Sequence, residues 1–127
     1  MLNLSNLKNI YRILAEIKEG TKQFKRKMAK NLIELEKLIY ELENDLKPLP
    51  EYLKYQEEIQ NAKADEIVKI RERYKTVLKK QKARNEYVNK KYSSYKIDLE
   101  EFKESELPKE LSVETWKVLM QLGLIKN

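Results

Sequence analysis

The sequence predicts an all-α protein whose centre is a long antiparallel helical hairpin of coiled-coil character. Three observations predict it. Two glycines and three prolines in 127 residues leave little material for turns, Lys, Glu and Leu dominate the composition, and apolar residues recur at helical spacing through most of the chain. With 41% apolar and 38% charged residues, the chain suits a solvated helical protein of ordinary domain size.

The first helix is expected from about residue 5 to 19. Leu7, Ile10, Leu14 and Ile17 form its stripe, Tyr11 and Ile13 widen it, and Ser5 stands where an N-cap would satisfy free amides. Gly20 is placed to end that helix in a left-handed conformation, and Thr21 to cap the next one.

The second helix, residues 22 to 46, carries a heptad seam: Met28, Leu32, Leu35, Ile39, Leu42 and Leu46 follow spacings of four, three, four, three and four. Such a seam packs against another helix. Phe24, Ile33 and Leu38 broaden it enough for a bundle, and its satisfaction within one chain or between chains stays open.

Pro48 and Pro50 reverse the chain, because proline lacks the amide donor that a helix interior needs. A third helix is expected from about 51 to 91, antiparallel to the second. Tyr52, Tyr55, Ile59 and Ala62 give its first stripe; Ile67, Ile70, Tyr74 and Val77 restore the spacing after a phase shift. Beyond Leu78 the seam positions become Gln81, Arg84 and Val88, so this end is expected to project without an intramolecular partner.

Residues 97 to 110 read as an acidic linker ended near Pro108, and residues 111 to 127 as a short C-terminal docking helix. That helix has Ser112 as N-cap, Leu111 and Trp116 as a staple, Glu114 in its first turn and Gly123 as its stop. Val113, Trp116, Leu119 and Met120 form its expected apolar face. Residues 1 to 96 make up the helical domain.

With neither cysteine nor histidine, the chain lacks thiolate and imidazole, the usual sources of zinc ligands, nucleophiles and neutral-pH bases. No catalytic, metal or cofactor site and no small-molecule substrate is expected. Glu57, Glu58, Asp65, Glu66 and Glu72 alternate with lysines on a helix face, where ion pairs one turn apart are the ordinary explanation. No apolar run approaches the ~20 residues that cross a bilayer, and the N-terminus does not read as a signal peptide. A soluble intracellular protein without membrane contact is expected.

Charge is distributed in blocks. Residues 75 to 96 carry a net +7 and residues 97 to 110 a net −4, within an overall +6. Such blocks indicate interaction. Lys75, Lys79, Lys80, Lys82, Arg84, Lys90 and Lys91, with Tyr87, Tyr92 and Tyr95 interleaved, are candidate contacts for DNA or RNA, lysines meeting phosphates and tyrosines stacking on bases. The ordinary alternative is a solvated helix end, and a third expectation is that the basic and acidic blocks pair with each other.

Four stretches, LSNLKNIYRILAEIKEG, FKRKMAKNLIELEKLIYEL, IVKIRERYKTV and LPKELSVETW, resemble the layout of archaeal GINS subunits, helical accessory factors of the replicative helicase. The resemblance implies a non-enzymatic scaffold bridging replication components, with Ile67, Ile70, Arg71, Arg73 and Tyr74 at contacts between subunits.

The leading functional expectation is thus an assembly subunit of a homo- or hetero-oligomer, its protein interface formed by Met28, Leu32, Leu35, Ile39 and Leu42, by the Ile67 to Tyr74 segment, and by Trp116. The expectation from another class is a small basic nucleic-acid-binding protein.

Overall fold

A computed structural model describes residues 2–126. The all-α expectation holds: six α-helices, α1 (Leu4–Ala15), α2 (Lys22–Leu46), α3 (Pro50–Asn61), α4 (Ile67–Arg73), α5 (Lys75–Ser93) and α6 (Val113–Gln121), account for most of the described chain. Two two-residue strands, β1 (Phe102–Lys103) and β2 (Ile125–Lys126), pair in parallel with Phe102 opposite Ile125. The chain divides into two compact units, one of residues 1–43 with 95–127 and the other of residues 44–94.

In the first unit, α1 begins one residue earlier than expected because Asn3, not Ser5, caps it: its side chain accepts from the Asn6 amide at 3.1 Å. The helix also stops at Ala15, well short of Gly20. Gly20 therefore does not terminate it. At φ +142° it lies against the next helix, where an added Cβ would collide with Phe24 Cδ1. Thr21 does cap α2, its hydroxyl accepting from the Phe24 amide at 3.1 Å.

The buried stripe of α2 is Phe24, Met28, Asn31, Leu35, Leu38 and Leu42. It has heptad spacing but is centred to one side of the expected seam. Leu32 and Ile39 are half-buried and Leu46 is exposed. The difference traces to Asn31, a polar residue that hydrophobic patterning passes over and that is only 1% exposed.

Residues 97–110 are not a free tether. Phe102 is fully buried, its ring 5.0 Å from that of Phe24. The Asn31 amide nitrogen donates to the Glu100 carbonyl at 3.1 Å, and the Glu100 amide donates back to Asn31 Oδ1 at 2.6 Å. Lys27 Nζ donates to the Glu101 carbonyl at 3.0 Å and pairs with Glu106 at 2.9 Å; Lys30 lies 3.7 Å from Glu100. The acidic block thus pairs with two lysines of α2.

The C-terminal helix α6 packs on α1 through Thr115, Val118 and Leu119. Ser112 caps it as expected, accepting from the Thr115 amide at 3.1 Å. Gly123 ends it at φ +67°, with the paired bonds Leu124 amide to Leu119 carbonyl and Gly123 amide to Met120 carbonyl of a Schellman stop. The expected apolar face is corrected: Val113 and Met120 point to solvent.

In the second unit, the expected single third helix is broken. The stripe before the break ends at Ala62 and the next begins at Ile67, and five residues at ~100° each would rotate the apolar face away from its partner. The extended backbone at Ala62 and the turn that follows instead reverse the chain, so that the two stripes face each other. The hairpin that the contacts define has α3 as one arm and α4–α5 as the other. Leu49 N to Gln81 Oε1 at 2.9 Å, the Tyr55–Tyr74 rings at 5.6 Å and Glu58–Arg73 at 2.8 Å mark its antiparallel register.

Candidate nucleic-acid interface

The end of α5 is not unsupported. Gln81, Val88 and Tyr92 are buried along one side of it. Tyr92 donates its hydroxyl to Asp45 Oδ2 at 2.6 Å, and Lys91 Nζ lies 2.8 Å from the same oxygen. Gln81 spends its oxygen on Leu49 and its amide nitrogen on Asn85 at 2.9 Å. These bonds fix the roll of the helix about its axis.

That roll decides which cations face water. At ~100° per residue, Lys75, Lys79, Lys82 and Lys90 fall within a stripe roughly 80° wide, about 140° round the helix from the buried side. Glu86 lies in the same stripe. Lys75, Lys79, Lys80, Lys82 and Lys90 are all exposed, and their side chains make no ion pair or hydrogen bond among the described residues. Four ammonium groups thus line one open face over about 22 Å of helix at ~1.5 Å per residue.

Two of the seven expected basic contacts are directed elsewhere. Lys91 is committed to Asp45, whose carboxyl it holds below the ordinary carboxylate range, with the Tyr92 hydroxyl and the more distant Arg84 acting in the same direction. Arg84 is half-buried; one guanidinium nitrogen reaches the Asn44 carbonyl at 3.5 Å, and its buried Nε has no hydrogen-bond partner. Tyr87, by contrast, stands 62% exposed next to the lysine row.

The residues expected at protein interfaces are dispersed. Met28, Leu35 and Leu42 are buried within the chain, Leu35 completely, and cannot at the same time line a surface. Ile70 is buried and Ile67 and Tyr74 half-buried, while Arg71 is exposed. Arg73 pairs with Glu58 and lies 5.5 Å from the Tyr74 ring centre. Partial burial, then Glu58, raises the Tyr74 phenol above its ordinary pKa. Trp116 is half-buried.

Asp45, Asn31 and Lys27 escaped the sequence reading, since each is a single polar residue with a partner at least 46 positions away. The exposed row on α5 was recoverable in principle: Gln81, Val88 and Tyr92 mark a buried side, and the lysines stand opposite.

Among the described residues, no group of three or more acidic side chains is placed to hold a metal ion, and no helix is long and apolar enough to cross a membrane. The chain matches no protein-family model, no curated protein and no solved structure.

Proposed function

We propose that the chain is a non-enzymatic nucleic-acid-binding protein whose α5 face engages phosphates. The observation that supports this is the row Lys75, Lys79, Lys82 and Lys90, exposed and in no ion pair among the described residues although Glu86 shares the stripe, on a helix whose roll is fixed by buried bonds. Cations held in a row on a fixed helix face a polyanion without first being pulled from internal ion pairs, and each phosphate they neutralise releases condensed counterions. Gel-shift titration of wild type against a variant with these four lysines changed to glutamine tests the reading. Binding should be lost in the variant while its helical circular dichroism is kept; equal binding by both contradicts it.

A second reading, the assembly subunit implied by the resemblance to GINS, is supported by α6. Val113, Trp116 and Met120 fall within ~60° of one another on the side away from Thr115 and Val118, with Val113 85% and Met120 67% exposed. Beside them lies an open hollow of about 340 Å³ lined by Glu104, Trp116, Met120, Gly123 and Ile125. Apolar side chains at such spacing suit the groove of a partner. Native mass measurement on the parent and on a Val113→Glu, Met120→Glu variant tests it: a parent oligomer that becomes monomeric supports the reading, and a parent that is monomeric both alone and after capture from its host contradicts it.

A further inference from the structure

Resting on the proposal that α5 binds nucleic acid, we infer that its ligand is single-stranded, with the backbone along the lysine row and a base stacked on Tyr87. Tyr87 lies ~60° round the helix from Lys90 and one turn from Ala83. Its ring is 62% exposed and makes no ring contact, cation–π contact or side-chain hydrogen bond among the described residues. An aromatic ring left in water beside a small residue and between cations is a platform that any unpaired base can use, because every base has a π-face.

Duplex readout is poorly served by the same surface. Reading a base pair in a groove calls for forked side chains such as Arg, Asn or Gln. Gln81 is buried, Arg84 is half-buried against Asn44, and Asn85 is tied to Gln81. Asn89 remains at the margin of the lysine row. A base inside a duplex stack cannot reach Tyr87 without first unpairing and unstacking. A single strand offers phosphates and free base faces together.

The test is fluorescence anisotropy with labelled 30-residue oligothymidylate, oligouridylate and a 30-base-pair duplex, using wild type, Tyr87→Ala and Tyr87→Phe. Tyr87→Ala should weaken binding of either single strand by roughly fivefold to a hundredfold, the range of one lost base stack. Tyr87→Phe should stay close to wild type, and the duplex should be insensitive to both changes. The oligothymidylate and oligouridylate arms separate DNA from RNA as the source of the strand. Duplex binding as tight as single-strand binding, with Tyr87→Ala indistinguishable from wild type, overturns the single-strand inference and leaves phosphate binding by α5 standing. Absence of binding to all three probes at low salt overturns both.

Discussion

Asp45, in the last turn of α2, and Tyr92, in the last turn of α5, share a 2.6 Å hydrogen bond that ties together the points where the chain enters and leaves its 44–94 unit. Lys91 binds the same carboxylate oxygen at 2.8 Å. A single side chain therefore joins residues 46 and 47 positions apart. The bonds also turn Lys91 inward and leave Lys90, its neighbour, on the open face.

Asp45→Asn keeps the size of the group but loses the charge, and should destabilise the protein by about 1–3 kcal/mol, the range for a hydrogen-bonded charged group. Tyr92→Phe should cost about 1 kcal/mol. Urea unfolding followed by circular dichroism measures both.

The pH dependence has a definite sign. Because the folded-state pKa of Asp45 is lowered, its contribution is complete above an ordinary carboxylate pKa of ~3.9 and is lost as the pH falls from there through the lower folded value. Thermal melts from pH 7 to 2 should show the wild-type advantage over Asp45→Asn shrinking below about pH 4. An advantage that grows on acidification would contradict the assignment.

Asn31 is the second clasp. Asn31→Ala removes a donor and an acceptor from the Glu100 backbone and should cost about 1–3 kcal/mol for the groups left unmatched. Hydrogen exchange should accelerate locally over residues 99–103, where the Glu100 amide and the β1 pairing are held.

The two glycines should respond unequally. Gly20→Ala places a methyl group against Phe24 at a backbone angle that L-residues rarely adopt, and should cost about 1–3 kcal/mol or more. Gly123→Ala meets nothing within 4 Å and carries only the left-handed penalty of roughly 1–2 kcal/mol. Melting temperatures of the two variants give the comparison.

The phase of the α2 stripe can be read from two truncations. Leu38→Ala, at a position 2% exposed, should cost about 2–5 kcal/mol, whereas Leu46→Ala, at a half-exposed one, should cost under about 1 kcal/mol. Equal losses would restore the seam centred on Leu32, Ile39 and Leu46.

The helical class, the second helix and the C-terminal helix with its Ser112 and Gly123 signals were legible, because capping and periodicity are local. Three features were not. Asn31 shifted the α2 stripe because a buried amide reads as polar until its distant partner is known. Phe102 lay in an acidic run that averaged to a linker, although one aromatic residue was enough to anchor the segment. The break at Ala62 left no glycine or proline, only a five-residue gap in the stripe. At the candidate site, the lysines were visible as composition, but their division into an open row and the inward-facing Lys91 and Arg84 depends on the roll of α5, which Asp45, Tyr92 and Gln81 set.

Contact between the four lysines of α5 and phosphates sets the salt dependence of binding to a single-stranded 30-residue oligonucleotide. Neutralising four phosphates should contribute a slope of about −3 to log Kobs against log salt, at roughly −0.7 per contact. Changing Lys75, Lys79, Lys82 and Lys90 to glutamine should flatten the slope by about that amount. A slope identical in wild type and variant would contradict that contact.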